Sequence, residues 1–270
     1  MRIEFTKMQG AGNDYVYVDC LKYGAPPFDP TALARAVSPR RRSRGADGLV
    51  LICPTDEADA FMRMFNADGS EGRMCGNAIR CVARYLYDRG ICPRRDMTIL
   101  TLSGVKRTTV LPDGGVTVDM GKAEFGDRLR AALRGRAWEV TRVSTGNPHA
   151  VCFTERIDRL DLETLGPAFE NAPVFGGRVN AEFAEIIGTD ELKMRVWERG
   201  SGETEACGTG ACAVTAAAVK AGLLPPDTEI TVHLKGGDLR VLCRPDYRLF
   251  LTGDATKVYD GVYEYAEDKT

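Results

Sequence analysis

The sequence predicts an α+β fold made of two related halves, each a β-sheet rolled around one helix, and three observations carry that prediction. Short strand patterns recur along most of the chain, while helical patterns are few. Two helical segments look alike, and the second is apolar on every side, so it belongs inside a roll of sheet. The chain also repeats itself. Shifted by 132 positions, Met62-Arg63-Met64-Phe65 lies on Met194-Arg195-Val196-Trp197, Glu71 on Glu203, and Cys75-Gly76 on Cys207-Gly208, without a gap. Upstream the match continues with a small slip: Asn13 lies 62 residues before Cys75, and Asn147 lies 60 before Cys207. The halves are therefore expected to meet near residue 120. Residues 1–119 carry Cys75 and residues 120–259 carry Cys207, with a tail from about 260 to 270 returning to the first half.

Taken in order, Ile3 to Lys7 alternates apolar with polar residues and reads as a strand, broken by the glycines of Gly10-Ala11-Gly12-Asn13-Asp14. Tyr15 to Val18 is a second strand. Thr31 to Val37 has a short helical pattern that runs into Pro39 and the basic run Arg40-Arg41-Arg42-Ser43-Arg44, which its charge marks as a solvated loop. Leu49 to Ile52 reads as a buried strand. Strand patterns return at Ala60 to Phe65, Met97 to Leu102, Lys106 to Leu111 and Gly115 to Asp119, with Asp113-Gly114 as a hairpin turn. In the second half they fall at Trp138 to Val143, His149 to Phe153, Glu182 to Ile187, Leu192 to Trp197, Glu229 to Leu234, Leu239 to Cys243 and Arg248 to Thr252. The two similar helices are Gly76 to Tyr87, with Ile79, Val82, Ala83 and Leu86 at helical spacing before Gly90, and Gly208 to Lys220 before Gly222.

With 44% hydrophobic and 27% charged residues, the composition is that of a globular protein and excludes disordered, collagenous and membrane classes. Lysines and arginines number 36 against 38 aspartates and glutamates, so there is no basic field for a phosphate backbone, and nucleic acid is not an expected partner. No apolar segment approaches the ~18 residues of a membrane span, and Arg2, Glu4 and Lys7 stand where a signal peptide would be apolar. Nine cysteines, odd in number and scattered, suit a reducing compartment, so a cytoplasmic location is expected.

Seven of those cysteines read as small buried hydrophobes. Cys75 and Cys207 differ, because each stands immediately before a glycine and a helix. A thiol there meets unpaired N–H groups and the positive end of the helix dipole, so each thiolate is expected to form below the usual ~8.5. The same N–H groups can hold a substrate carboxylate. The cysteine spacings do not suit zinc, and only two histidines are present, so no metal is expected. A nucleophilic Cys–His pair using His149 would need one cysteine, whereas the duplication supplies two equivalent ones. Facing halves would place one thiol on each side of a cleft, and inversion of a stereocentre requires that arrangement. Asn13, Asn66, Asn77, Asn147 and Asn180 offer neutral polar groups beside turns, while Arg199 and Glu198 can meet a substrate carboxylate and ammonium.

The stretch Asn66-Ala67-Asp68-Gly69-Ser70-Glu71 leading to Met74-Cys75-Gly76-Asn77 closely resembles the diaminopimelate epimerase family. So do Gly146-Asn147-Pro148-His149-Ala150-Val151 and Glu198-Arg199-Gly200-Ser201-Gly202-Glu203-Thr204 leading to Ala206-Cys207-Gly208-Thr209-Gly210-Ala211-Cys212, as does the opening Gly10-Ala11-Gly12-Asn13-Asp14-Tyr15. The resemblance spans the chain. It departs at Gln9, where many members have His, at Gly48, where some have a substrate-contacting Gln, and at residues 171–177, which lack a common His-Pro.

The resemblance implies a cofactor-independent isomerase that converts LL-diaminopimelate to the meso form, with Cys75 and Cys207 as a thiolate and thiol pair. It assigns substrate contacts to Asn13, Asn66, Gly76, Asn77, Asn147, Asn180, Glu198, Arg199, Gly208 and Thr209, and tuning of the cysteines to His149 and Glu198. Each half is implied to be a mixed sheet rolled about a central helix, with the active site between halves, and the enzyme to be a homodimer. Two other readings are carried: a cofactor-independent racemase of another amino acid such as histidine, and a non-catalytic amino-acid-binding or redox-sensing protein.

Overall fold

The computed structural model describes residues 1–22 and 26–265; residues 266–270 of the expected C-terminal tail lie outside the described residues. The strands are β1 (Arg2–Gly10), β2 (Asn13–Asp19), β3 (Gly48–Cys53), β4 (Ala60–Asn66), β5 (Glu71–Gly72), β6 (Asp96–Thr101), β7 (Gly104–Val110), β8 (Val116–Lys122), β9 (Glu124–Leu133), β10 (Arg136–Ser144), β11 (Pro148–Phe153), β12 (Asn180–Ile186), β13 (Glu191–Glu198), β14 (Gly202–Glu203), β15 (Glu229–Leu234), β16 (Gly237–Cys243), β17 (Arg248–Gly253) and β18 (Thr256–Glu264). The α-helices are α1 (Pro30–Val37), α2 (Gly76–Asp88), α3 (Leu162–Glu170) and α4 (Gly208–Lys220).

Two compact units result: Met1–Val118 together with the segment from Gly253 onward, and Asp119–Thr252. The return to the first unit thus begins at Gly253, earlier than the expected 260. The cause is β18, which pairs antiparallel along β1 from Thr256 opposite Gln9 to Glu264 opposite Arg2.

In the first unit β1 and β2 form a hairpin, β2 runs parallel to β3, β3 is antiparallel to β4, and β4 is antiparallel to β5 and parallel to β6. Hairpin pairings then join β6, β7 and β8. The second unit repeats this order. Strand β10 pairs with β11, β11 runs parallel to β12, β12 is antiparallel to β13, β13 takes β14 and then β15 in parallel, and β16 and β17 follow. The registers correspond as well: Tyr15 lies opposite Gly48 as His149 lies opposite Asn180. Parallel neighbours need a crossover connection, and α1 lies between β2 and β3 as α3 lies between β11 and β12.

Each unit has one helix inside its roll. Helix α2 touches β1, β2, β4, β6 and β7, and buries Ile79, Val82, Ala83 and Leu86, each worth ~1.5–3 kcal/mol for the larger side chains. Helix α4 touches β10, β11, β12, β15 and β16. Its small residues from Ala211 to Ala218 are all buried, and their size lets strands approach from every side. On the outer face α1 packs Leu33, Ala34 and Val37 against Leu49, Leu51 and Phe65. Helix α3 covers a cluster in which Phe169 meets Trp138 and Phe183 edge-on, with centroids 5.5 and 5.1 Å apart.

Gly48 starts the strand beside Asn66, and a Cβ there would lie 2.0 Å from the Phe65 carbonyl oxygen. Gly48→Ala is expected to cost ~1–3 kcal/mol through overpacking. It should lower the urea midpoint without changing the slope of the transition.

Candidate active site

In the first unit Cys75 is the N-cap of α2, with extended φ −136° and ψ 122°. Its Sγ accepts the Ala78 N–H at 3.5 Å, and its carbonyl accepts the Ile79 N–H at 3.0 Å. A side chain that accepts at this point starts a helix by satisfying one of its orphan donors. Gly76 adds no side chain beside the sulfur, and Asn77 is buried.

Asn13 arrives at Cys75 because the β1–β2 hairpin turns on Ala11 and Gly12, both at positive φ (51° and 79°), which suits a tight hairpin. The Cys75 thiol donates to Asn13 Oδ1 at 3.6 Å. Asn13 Nδ2 donates to Asp47 Oδ2 at 2.6 Å, so its oxygen is left to face the sulfur. Asp47 and Asp14 are tied by the Arg40 guanidinium at 2.7 and 2.8 Å, and Lys7 pairs with Asp14 at 2.7 Å. Arg40 therefore does more than solvate the loop that its basic run suggested. Burial pushes the Asp14 carboxyl up, but hydrogen bonds from Arg40 and Lys7 outweigh it and leave the group below the usual carboxylate range.

Arg80, one turn into α2, is fully buried. It donates to the Gly76 carbonyl at 3.1 Å, to Asn77 Oδ1 at 3.0 Å and to the Asp254 carbonyl at 3.0 Å. Asp254 in turn accepts from Ala11 N–H at 2.7 Å and from Gln9 Nε2 at 2.8 Å. One guanidinium thus links the helix start to the hairpin that carries Asn13. Asn66 is exposed at the end of β4 and bonds within its own loop, from Nδ2 to Ser70 Oγ at 2.9 Å. The described geometry joins Asn13, Cys75, Gly76 and Asn77, and leaves Asn66 to its turn.

In the second unit Cys207 caps α4 in the same way, at φ −127° and ψ 107°, with Sγ accepting from Gly210 N–H at 3.4 Å. Thr209 Oγ1 lies 3.4 Å from that sulfur. Asn147 Nδ2 donates to Thr209 Oγ1 at 3.3 Å, and Asn147 Oδ1 lies 3.0 Å from His149 Nε2. Asn180 Oδ1 accepts the Arg199 N–H at 2.9 Å, while the Arg199 side chain is exposed. Glu198 Oε1 accepts from Thr204 Oγ1 at 2.5 Å, and its carboxyl is also hydrogen-bonded to Cys207. His149, Asn147, Thr209, Glu198 and Cys207 are therefore one bonded group, with Gly208 between Cys207 and Thr209 in the chain and Asn180, opposite His149 at the start of β12, holding the Arg199 backbone.

The expectation that both thiolates form easily fails at Cys207. Burial first, then the charges of Glu198 and Glu182, push its thiol well above the usual range, and the hydrogen bonds from Thr209 and the Gly210 N–H offset only part of that. Burial likewise raises Glu198, against the pull of Thr204 and Cys207. Residues that sequence patterns did not single out hold both groups in place: Asp47, Arg80 and Asp254 in one unit, Glu182 and Thr145 in the other. Arg80 sat in view inside an apolar helical stripe, where a lone charge signals a buried partner.

Comparison with known proteins shows the family of the chain. Residues 5–126 and 141–258 match the family model described as Diaminopimelate epimerase. A diaminopimelate epimerase of Desulfovibrio desulfuricans is 47% identical over 285 residues, covering 97% of this chain and 98% of that one. One from Geobacillus thermodenitrificans is 44% identical over 279 residues, covering 97% and 96%. Among solved structures, a Bacillus anthracis phenazine biosynthesis protein of the PhzF family has TM-score 0.76 at 16% identity, over 98% of this chain and 100% of that one. A probable proline racemase from Agrobacterium radiobacter has TM-score 0.72 at 17% identity, over 98% and 93%. These last two show a shared fold.

Glu198→Gln in a Cys75→Ala background should lower the pH at which the Cys207 thiolate absorbs in the ultraviolet, because one of the charges opposing it is gone. Asp14 gives a second pH signature. Its folded-state pKa is depressed, so its stabilisation is present above the unfolded carboxyl's range and is lost as pH falls through the folded value. Asp14→Asn should flatten the acid limb of a stability–pH curve.

Proposed function

The chain belongs to the diaminopimelate epimerase family, and we propose that it interconverts LL- and meso-2,6-diaminopimelate with Cys75 and Cys207 as the acid–base pair. The supporting observation is that two cysteines at equivalent places in a duplicated chain cap their helices in the same way. In this reading one sulfur removes the α-hydrogen from one face of the carbon and the other returns a proton to the opposite face. Cys207, held as a thiol by burial and its two glutamates, is the proton donor when Cys75 is the base. The roles exchange in the reverse direction.

The α-hydrogen is a very weak acid, so the thiolate needs help. The α-carboxylate lies against the first-turn N–H groups at Gly76, Asn77, Gly208 and Thr209, which meet charge as it develops and contribute ~3 kcal/mol per well-placed donor. Asn13, Asn147 and Asn180 hold the polar groups around the reacting carbon, and His149 acts on Cys207 through Asn147 and Thr209. Asn66, Glu198 and Arg199 meet the remaining charged and polar groups of the substrate. No organic cofactor enters this scheme. The cysteine content fits a cytoplasmic enzyme. The exposed Val258, Tyr259 and Val262 on β18 fit a homodimer, which light scattering of the purified protein would test.

Purified protein should epimerise LL-diaminopimelate without added pyridoxal phosphate, as followed by chromatography of the two isomers. Either Cys75→Ala or Cys207→Ala should lower kcat by ~10²–10⁴-fold. In heavy water, newly formed product should carry deuterium while recovered substrate stays protiated early in the reaction. Equal label in both pools would show a single exchanging base and overturn the two-thiol scheme.

A further inference from the structure

A fully buried carboxylate stands behind Cys207 with no counterpart behind Cys75. Glu182, in the middle of β12, and His149, in β11, have side chains with no exposed surface, and Nδ1 lies 2.6 Å from Oε1. Among the described residues, the other carboxylate oxygen, Oε2, is buried without a hydrogen-bond partner. Burial of that kind is costly unless the group has a task or a compensating charge. Gly210 makes room for it: a Cβ at 210 would lie 3.0 Å from Glu182 Oε1.

The repeat shows that this arrangement is specific to the second unit. At 132 positions upstream, Glu182 corresponds to Val50 and Gly210 to Ala78, and the strand registers equate His149 with Tyr15. The acid, the base and the gap that admits them occur together in one copy and are all missing from the other.

We infer that Glu182 is a positioning residue for Cys207, acting through His149, Asn147 and Thr209 to set the direction in which hydrogen is donated along that chain. The inference rests on the reading of Cys207 as an acid–base group. The direction follows from valence. Asn147 Nδ2 can only donate, and it faces Thr209 Oγ1 at 3.3 Å, so Asn147 Oδ1 faces His149 Nε2 at 3.0 Å and must accept from it. Nε2 therefore carries hydrogen. Nδ1 lies against the carboxylate at 2.6 Å, so a second hydrogen is shared between the ring and Glu182. Thr209 Oγ1 accepts from Asn147, which leaves its own hydrogen for Cys207 Sγ at 3.4 Å. The Thr145 hydroxyl pins the Thr209 carbonyl at 3.2 Å and keeps that residue from turning away. A donor is thus presented to the sulfur each time it gives up its proton.

The test is nitrogen NMR of protein labelled at its two histidines, His149 and His233, with His233→Gln to assign the signals. Native His149 should show a directly bonded hydrogen on Nε2 and a hydrogen shared with Glu182 at Nδ1, and Glu182→Gln should remove the shared one. The same variant should lower kcat about tenfold or more with KM changed less than about threefold. Glu182→Asp, which keeps the charge but draws the carboxylate back from the ring, should shift kcat in the same direction if Glu182→Gln fails to fold. A native His149 whose Nε2 lacks hydrogen overturns the inference, as does an unchanged kcat in the variants. The native spectrum as expected, but with no diaminopimelate turnover, would overturn the functional reading instead, and the positioning role of Glu182 in turnover with it.

Discussion

Both units depend on one constraint: a helix that begins inside a roll of sheet must have its first N–H groups satisfied without water. In each case a cysteine sulfur accepts one of them, from Ala78 or from Gly210. That fixes the sulfur at the helix mouth and leaves the neighbouring donors pointing the same way, toward any anion that approaches. The glycine after each cysteine keeps this mouth clear. Around it the sheet supplies a hairpin whose second strand starts with an asparagine, Asn13 in one unit and just before β11 at Asn147 in the other.

The two units share topology and differ in charge. Behind Cys75 the buried side chain five residues into the sequence is the Arg80 guanidinium; the corresponding position in the second copy is Cys212. Around Cys207 stand Glu182 and Glu198, where the first copy has Val50 and Asn66. Duplication supplied two similar sulfur sites, and these substitutions gave one a cationic neighbour and the other acidic ones. In the proposed reaction the two sulfurs would have to hold their protons unequally at the same pH, and local charge is a means by which identical side chains are made unequal.

Much of this was legible in the amino-acid order because the informative signals were local. The repeat at Cys75 and Cys207, the apolar stripe of α2, the all-round apolar α4 and the closing glycines Gly90 and Gly222, both at positive φ, each carry their meaning within one turn or one strand. Strands β9 and β18 escaped notice because their side chains are mostly exposed and lack alternation, so only backbone pairing defines them. Helix α3 was hidden by Gly166 and Pro167, which read as breakers. It forms because Asp161 caps it and because Gly166 lets it lie against the Trp197 ring, where a Cβ would fall 2.1 Å from the indole. The thiol expected to ionise easily at Cys207 does not, since burial inside the roll comes first and the charges of Glu198 and of Glu182, the latter from a strand earlier in the chain, add to it. Contacts of that kind have no local signature.

The discontinuous first unit has a consequence for biosynthesis. Strand β1 is made well before β18, and one of its two hydrogen-bonding edges stays open until β18 can pair with it. The second unit is a single uninterrupted stretch and can fold as soon as it has emerged. The nascent chain therefore completes its later-encoded unit first, while the sheet of the earlier one waits for β18 with an exposed edge that invites wrong pairing.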